Sequence, residues 1–431
     1  MKKQSNKNSF AKYKEALHFV DNISTYSTHK KIRVAKNSPD FFLARRKYYL
    51  KLVGSPEKYF KYIHITGTAG KGSVSNMVHN VLVCAGKKSG LFTSPYVTSA
   101  IEKIKVGELY ISQDEFVTIV DGLKPMVIKA SKSKFGAPSH FELFLIIALI
   151  YFKNKKCEYV VLEVGIGGKF DVTNIMPRST SAVTNVDYDH TKILGKTLRE
   201  IAEDKAGVIK EKGLFFTTEQ RPALKKIFQR VCDEKKATPY FIEKQKTYLD
   251  YNRILVEKIA QSLGIEDMYI KEGIAKSKMP CRFEIVSTSP LVVLDGAHNR
   301  AKIKSTIANL KNFKFDKLTI LITATKSLDE KKAVLEYLVP LADNIILTSL
   351  KSSERKSSHP NQFLPHIQSQ MKKGAEVRVV MDHNEALDQA LSLSKKNDCV
   401  LVTGSFFLAG EIRKNWYSEE WILENRKSYK D

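Results

Sequence analysis

Cysteine is scarce in this chain of 431 residues, and long apolar runs are missing. The cysteines stand far apart without a CxxC pair, which argues against a disulfide framework and a thiolate zinc site. The longest apolar run covers residues 143–152, about half of what a bilayer-spanning helix needs. The N-terminus is Lys-rich and polar, without the apolar core of a signal peptide. We therefore expect a cytoplasmic protein with no membrane partner.

Acidic residues are too few to balance the basic ones, with 46 Asp and Glu against 71 Lys and Arg and a formal net charge of +25. Such an excess can neutralise the phosphates of a nucleic acid. Here it is spread along the chain, without an Arg-rich tract, and it equally suits small polyanions such as ATP or a multi-carboxylate substrate. We expect small-molecule substrates, no nucleic-acid partner and a monomer. A basic ATPase acting on nucleic acid is the alternative from another class.

The pattern of short β-branched runs between helix-length segments predicts mostly parallel sheets with helices on both faces. The first fifty residues are helical in pattern, and strands are predicted at 62–65, 159–164 and 182–186, with a helix over about 74–85. A second series of strands is predicted at 291–294, 318–322, 344–347, 377–380 and 400–402. We predict two α/β domains: residues 1–279 with a phosphate-binding loop, and residues 280–431, smaller and Rossmann-like.

A glycine-rich turn between a strand and a helix, Thr66-Gly67-Thr68-Ala69-Gly70-Lys71-Gly72-Ser73, is the strongest chemical signal. Glycines let backbone N–H groups surround phosphate oxygens, and the helix N-terminus attracts negative charge. Lys71 is suited to the outer phosphates and the Ser73 hydroxyl to phosphate or metal. Gly72 separates the two, unlike the usual spacing.

Polar residues also follow two later strands. Glu163 ends one strand and precedes a Gly-rich segment, while His190 lies in Asp187-Tyr188-Asp189-His190-Thr191 after the next. The carboxyl ends of parallel strands form the ligand crevice of an open sheet. Glu163 and His190 are therefore candidate magnesium ligands, with phosphate oxygens completing the shell.

In the second half, Asp295 and His298 follow the strand at 291–294 in the segment Asp295-Gly296-Ala297-His298-Asn299. An Asp at a strand end can accept hydrogen bonds from ribose hydroxyls, and a nearby His can contact a ligand. Simple capping of the following helix by Asp295 or Asn299 is the alternative.

These segments, in this order, resemble the folylpolyglutamate synthase and dihydrofolate synthase family, a branch of the Mur ligases. The resemblance runs from about Tyr13 to Arg413. The blocks that carry it are residues 66–73, 93–95, 163–174, 189–191 with 204–207, 294–299 and 404–411. It implies an ATP-dependent ligase that adds L-glutamate to a folate, or to dihydropteroate, through an acyl phosphate.

The resemblance also implies roles for individual residues. It places ATP phosphates on Thr68, Ala69, Gly70 and Lys71, and the nucleotide against Asn252, Arg282 and Asp295. Magnesium, with two sites expected, would be held by Ser94, Glu163, His190 and a carbamylated Lys205. His298 lies near the reaction centre, and the substrate residues are Ser139, His140, Phe141, Lys169 and Asp171.

The chain departs from the family pattern at several of these positions. Ala69 stands where the family has Asn, Lys169 where it has Arg, Tyr96 where it has His, and Arg300 where it has Pro. Ser139-His140-Phe141 replaces the commoner Thr-Tyr-Phe. The phosphate residues are kept, so these changes bear on the acceptor more than on the reaction. Folate polyglutamylation is the first expectation. Dihydropteroate, a non-folate acid and a ligase-like protein without turnover are the alternatives.

Overall fold

The structure, a computed structural model, describes residues 2–23, 39–176, 178–323, 328–350 and 359–430. Two compact units divide the chain: residues 1–96 with 100–278, and residues 97–99 with 279–431. Within the predicted N-terminal helical region, helices α1 (Lys2–Asp21) and α2 (Pro39–Leu52) are present. Residues 24–38 of that region lie outside the described residues.

An eight-stranded sheet forms the centre of the first unit. Its strands are β1 (Lys61–Thr66), β2 (Ser89–Phe92), β3 (Ile104–Val106), β4 (Leu109–Tyr110), β5 (Tyr159–Glu163), β6 (Thr180–Val183), β7 (Leu214–Thr217) and β8 (Thr238–Phe241). They lie in the order β4-β3-β2-β5-β1-β6-β7-β8. Pairing is parallel from β2 across to β8, whereas β3 pairs antiparallel with β2 and with β4.

Helices cover both faces of this sheet. They are α3 (Lys71–Cys84), α4 (Gln113–Ser131), α5 (His140–Asn154), α6 (Thr191–Leu194), α7 (Leu198–Ala206), α8 (Pro222–Lys235), α9 (Tyr248–Ser262) and α10 (Asp267–Ala275). Successive strand residues point to opposite faces. Phe216 therefore packs with α3, α9 and α10, while its neighbour Phe215 packs with α7 and α8. Capping boxes at Ser112, Ser139 and Thr197 begin α4, α5 and α7.

The second unit contains a six-stranded sheet. Its strands are β9 (Glu284–Thr288), β10 (Leu291–Leu294), β11 (Leu318–Thr323), β12 (Asn344–Thr348), β13 (Glu376–Val379) and β14 (Cys399–Thr403). The order is β13-β12-β11-β14-β10-β9, parallel except for the β9–β10 pair. Its helices are α11 (Arg300–Leu310), α12 (Leu328–Tyr337), α13 (Leu364–Gln368), α14 (His383–Ser392), α15 (Phe406–Arg413) and α16 (Glu419–Asn425). Leu321 and its neighbour Ile320 point into separate cores on the two faces.

The predicted fold class is confirmed: two α/β units contain mostly parallel sheets with helices on both faces. One predicted strand is too long, since β6 ends at Val183 and not at residue 186. The backbone leaves the sheet there because Asn185 turns toward the loop after β1. No helix within the described parts of the chain combines the length and apolar character needed to cross a membrane.

Candidate functional site

The loop between β1 and α3 is a tight turn that requires glycine at two positions. Gly67 and Gly70 have φ angles of +148° and +82°, in the region that favours glycine. A Cβ atom on Gly67 would lie 1.9 Å from Thr184 Oγ1, and one on Gly70 would lie 2.9 Å from Asn252 Oδ1. Asn252, a predicted nucleotide residue on α9, therefore lies directly against this loop.

The loop after β6 fixes the first half of the phosphate loop. Asn185 accepts hydrogen bonds through its side-chain Oδ1 from the N–H groups of Thr68 and Ala69, at 3.1 and 2.8 Å. The Thr68 hydroxyl donates to the backbone oxygen of Asp187 at 3.1 Å. Two of the predicted phosphate donors are thus already engaged within the protein. No local pattern indicates this role for Asn185, which stands in the strand predicted at residues 182–186.

The second half of the loop is the start of α3, whose N-cap residue is Gly70. Glycine has no side chain to cap the helix, and none caps it among the described residues. The N–H groups of the first turn, at Lys71, Gly72 and Ser73, therefore form the anion-attracting part of the loop. The Lys71 ammonium donates to the Gly67 carbonyl oxygen at 2.9 Å, which holds it over the same loop.

Two of the predicted metal ligands, Ser94 and Glu163, are in contact. Glu163 is the last residue of β5 and is buried, and its Oε2 accepts a hydrogen bond from the Ser94 backbone N–H at 3.0 Å. This contact holds the carboxylate at the carboxyl end of the sheet, where Ile65 of β1 is its register partner. A buried carboxylate at this edge is a suitable ligand for a magnesium ion.

His190 lies in the loop after β6, on the other side of β1 from Glu163. It is the N-cap residue of α6 with φ +48°, and its Nε2 lies 3.7 Å from Asp189 Oδ1. Since β5, β1 and β6 are adjacent and parallel, Glu163, Lys71 and His190 all follow strand ends at one edge. Within the described ranges, no three His, Cys, Asp or Glu side chains converge on a cation site. The predicted set contains only two residues of those types.

Lys205 is buried in the last turn of α7, only 2% exposed. Burial and the nearby charge of Lys71 together lower the pKa of its ammonium to about 7, against the opposing effect of the carboxylates of Asp204, Asp189 and Asp171. The structure thus brings Lys205 into the electrostatic environment of the phosphate loop. A lysine with such a pKa is substantially neutral at physiological pH, which is the form that reacts with CO2.

The glycine-rich segment after β5 packs against the end of α7. A Cβ atom on Gly168 would lie 2.9 Å from the backbone oxygens of Asp204 and Lys205, and Lys169 N donates to the Asp204 oxygen at 2.8 Å. The Lys169 ammonium lies 5.2 Å from the centre of the Phe170 ring. Glycine is therefore needed here so that the loop can approach the helix that carries Lys205.

Asp171, a predicted substrate residue, holds its own loop together. Its Oδ2 accepts from Ile166 N at 3.0 Å and its Oδ1 from Thr173 N at 2.9 Å, and the Thr173 hydroxyl also donates to Oδ1. Both carboxylate oxygens are therefore used internally. Asp171 therefore shapes the loop that a substrate would contact, and its own carboxylate is less available to the substrate.

The three residues predicted as an acceptor loop have separate surroundings. Ser139 caps α5, accepting from Glu142 N at 3.3 Å. His140 Nε2 lies 3.2 Å from Asp21 Oδ1 of α1, and its ring is 4.8 Å from that of Phe144. The Phe141 ring would be 3.1 Å from a Cβ atom on Gly165. Of the three, Phe141 is the one beneath the glycine-rich loop.

In the second unit, Arg282, Asp295 and His298 lie around the carboxyl end of β10. Asp295 accepts from Phe283 N at 2.8 Å and from Ala297 N at 2.7 Å. Burial raises the pKa of the Asp295 carboxyl, and the Arg282 charge opposes this. His298 Nδ1 lies 2.9 Å from the Gly296 oxygen, and its Nε2 lies 3.3 Å from Lys302 Nζ.

Two family models match the chain. Residues 65–285 match the Mur ligase middle domain, and residues 281–406 match the glutamate ligase domain of Mur ligases. The chain is 28% identical over 428 residues to the dihydrofolate synthase/folylpolyglutamate synthase of Bacillus subtilis, covering 86% of this chain and 94% of that protein.

Solved structures agree with these matches. The crystal structure of folylpolyglutamate synthase from Thermotoga maritima is similar, with a TM-score of 0.75, 27% identity and coverage of 88% of this chain and 95% of that chain. Folylpolyglutamate synthase of Mycobacterium tuberculosis complexed with ADP shares the fold, with a TM-score of 0.81, 22% identity and coverage of 95% and 99%.

Proposed function

The chain belongs to the Mur ligase family, in the branch of the folylpolyglutamate and dihydrofolate synthases, and we infer that it uses ATP to join L-glutamate to a folate-type carboxylate. One observation carries the inference. The loop with Lys71 and the carboxylate of Glu163 lie at the carboxyl ends of neighbouring strands of one sheet, and the buried Lys205 is close enough for the charge of Lys71 to lower its pKa, so a nucleoside triphosphate would meet all three.

The reaction has two steps. An oxygen of the acceptor carboxylate attacks the γ-phosphorus of ATP, which forms an acyl phosphate and releases ADP. The amine of glutamate then attacks the acyl carbon, loses a proton and expels phosphate from a tetrahedral intermediate. Lys71 and the N–H groups at the start of α3 stabilise the negative charge that moves during phosphoryl transfer. Catalysis is therefore mainly positioning and electrostatics, and no nucleophilic side chain is needed.

A magnesium ion fits the residues at this edge. Glu163 is a buried carboxylate oriented by the Ser94 backbone N–H at 3.0 Å, as an oxygen ligand should be. Glu163, Ser94 and His190 would hold the ion, and a carbamylated Lys205 would serve a second one. When bound, magnesium neutralises phosphate oxygens and orients the triphosphate. ADP in the Mycobacterium tuberculosis structure supports the nucleotide assignment.

The neutral form of Lys205 supports its carbamylation. Carbamylation joins the Nζ lone pair of the neutral amine to the carbon of CO2 and releases one proton, so the neutral amine becomes an anionic oxygen donor. The burial of Lys205 and its pKa of about 7 favour the amine that this step requires. Lys71, whose positive charge lies nearby, would stabilise the product.

An assay of glutamate-dependent ADP release tests the proposal. The purified chain is given ATP, magnesium and glutamate with tetrahydrofolate, with dihydropteroate, or with no acceptor. We expect turnover with tetrahydrofolate that depends on glutamate. Turnover with dihydropteroate as well would add the dihydrofolate synthase step. ADP release that ignores glutamate, or that rises with DNA or RNA, would contradict the proposal.

A further inference from the structure

A turn just before β9 carries Arg282 on a strained backbone. Arg282 stands between Cys281 and Phe283, whose φ angles are +54° and +48°. Residues with a Cβ atom rarely adopt this left-handed conformation, and bulky residues in it are outliers. Such residues persist only where the surrounding structure fixes them. The contacts that fix this turn therefore determine where the Arg282 side chain starts.

Two buried carboxylates hold the turn through hydrogen bonds to its backbone. The Cys281 N–H donates to Glu284 Oε2 at 2.8 Å, and the Phe283 N–H donates to Asp295 Oδ2 at 2.8 Å. The Cys281 backbone oxygen also accepts from Gly296 N at 2.9 Å. Glu284 and Asp295 are both buried. Each of the two strained residues is thus held by a carboxylate from its own unit of the chain.

The carboxylate of Glu284 is in turn held by a fully buried arginine. Arg413 is the last residue of α15, and its Nε lies 2.9 Å from both carboxylate oxygens of Glu284. Its Nη2 donates to the Ser428 backbone oxygen, and its guanidinium carbon lies 4.2 Å from the centre of the Tyr417 ring. These contacts fix Arg413 from several sides. Arg413 therefore keeps Glu284 in the orientation that accepts from Cys281 N.

The side chain of Arg282 lies between an aromatic ring and a glycine. Its guanidinium carbon is 4.6 Å from the centre of the Phe406 ring, and its Nη1 would be 3.0 Å from a Cβ atom on Gly296. An arginine stacked on a ring can still donate to a ligand, because its N–H groups lie in the guanidinium plane. Arg282 is also partly exposed. The ring sets the plane of the guanidinium, and the turn sets the point from which the side chain reaches it.

We propose that Glu284 is a positioning residue for ATP binding: with Arg413, it holds the left-handed turn at 281–283 and so directs Arg282 at the nucleotide. This inference rests on the proposed use of ATP and on the nucleotide contact that the family resemblance implies for Arg282. A buried ion pair is often no more stabilising than apolar side chains of similar volume. Glu284 and Arg413 therefore serve the geometry of the turn more than the net stability of the fold.

Replacing the ion pair by apolar side chains separates these two roles. The variant carries Glu284→Leu with Arg413→Met, and its melting temperature should stay within about 3 °C of the wild type. Isothermal titration calorimetry of the full chain with magnesium and a non-hydrolysable ATP analogue gives the Kd. We expect the Kd to rise about fivefold in the pair variant and about tenfold in Arg282→Met, which loses charge-assisted hydrogen bonds. Adding the pair variant to Arg282→Met should raise the Kd no further, because its effect passes through Arg282.

A second variant relaxes the turn and leaves the ion pair intact. Cys281→Gly removes the strain of the left-handed residue and lets the turn adopt other conformations. The Kd should again rise about fivefold, as in the pair variant. Lys236→Gly is the matched control, since Lys236 has a φ of +52° at the exposed C-terminus of α8. It should keep the wild-type Kd. Cys281→Gly also tests the turn if the pair variant does not fold.

Three results would overturn the role of Glu284. They are a wild-type Kd in the folded pair variant or in Cys281→Gly, a wild-type Kd in Arg282→Met, and an increase in Kd that is the same with and without Arg282. All of these measurements are made without acceptor and without glutamate. A chain that binds the analogue as expected but shows no glutamate-dependent ADP release would contradict the proposed reaction and not the role of Glu284.

Discussion

Two strand–turn–helix junctions in this molecule have the same topology but differ in how the N-terminus of the helix is capped. In the first unit β1 leads through residues 67–70 into α3, and in the second unit β10 leads through residues 295–299 into α11. The N-cap residue of α3 is Gly70, without a side-chain cap. The N-cap residue of α11 is Asn299, whose Oδ1 accepts a hydrogen bond from Lys302 N at 3.1 Å.

We infer from this difference that the first junction is suited to bind a ligand, whereas side chains of the protein itself already cap the second. At α11, Asn299 caps the helix and Asp295 accepts the N–H groups of Phe283 and Ala297. At α3 the helix start keeps its N–H groups and its positive dipole for a ligand. We therefore propose that the first junction binds phosphate and that the second does not.

Removing the charge of the first junction should have the largest effect. Lys71→Ala should lower turnover by about 1000-fold or more, since an electrostatic contact made in the transition state is lost. The melting temperature should change little because the ammonium donates its hydrogen bond to a loop carbonyl and not to a core group. Glutamate-dependent ADP release is the measurement. Lys87→Ala, at an exposed lysine after the same helix, is the control and should behave as the wild type. If Lys71→Ala turned over at the wild-type rate, the assignment of Lys71 to the ATP phosphates would be wrong.

Adding a single methyl group at the α3 N-cap should also weaken nucleotide binding. In Gly70→Ala the new Cβ atom would lie 2.9 Å from Asn252 Oδ1, so the loop must shift. We expect the KM for ATP to rise by about tenfold, with a loss of about 1 kcal/mol in unfolding free energy from the left-handed backbone. Gly374→Ala is a matched control, because Gly374 has a φ of +81° with nothing within 4 Å of its Cβ position. Gly374→Ala should lower the unfolding free energy by a similar amount and leave the KM for ATP unchanged.

The metal requirement can be tested at the same edge of the sheet. Glu163→Gln removes a ligand charge while keeping the shape, and should raise the magnesium concentration for half-maximal turnover by about tenfold. Glu158→Gln, at the exposed partner of Lys61 before the same strand, should leave it unchanged. Identical magnesium titrations for the two variants would show that Glu163 is not a ligand.

Activation by CO2 should depend on pH through Lys205. The pKa of this lysine falls from the usual 10.5 to about 7 in the folded chain, so its neutral fraction increases about tenfold between pH 6 and pH 8. Enzyme depleted of CO2 should therefore regain activity about tenfold faster at pH 8, at equal dissolved CO2. The initial rate of recovery is measured, with Lys205→Met as the insensitive control. Recovery at equal rates at the two pH values would contradict a carbamylated Lys205.

How far the sequence predicts the fold depends on the local pattern of each strand. Val292 to Leu294 and Val400 to Val402 are apolar and rich in β-branched valine, and both segments are strands as predicted. The strand β2 was missed because its sequence, Ser-Gly-Leu-Phe, lacks that pattern. Gly90 is required there by packing, since a Cβ atom would lie 2.6 Å from the Phe152 ring. Such a contact between residues distant in the chain has no local signal.

The same limit applies to the site. Lys71 and Glu163 were identifiable because a glycine-rich turn and a strand end indicate their chemistry locally. Asn185 was not identifiable, since its hydrogen bonds to Thr68 and Ala69 depend on how the loop after β6 meets the loop after β1.

The smallest effect on ATP binding is expected at the second junction, where Asn299 caps α11. This variant tests most directly whether the two junctions differ in function. Asn299→Ala removes the hydrogen bond to Lys302 N, which should lower the unfolding free energy by about 1 kcal/mol. If the turn before α11 is closed by its own side chains, the KM for ATP should stay within about twofold of the wild type. Chemical denaturation and steady-state kinetics on the same preparation measure both quantities. An unchanged unfolding free energy with a raised KM for ATP would contradict this interpretation of the second junction, because Asn299 would then contact the nucleotide and would not cap its helix.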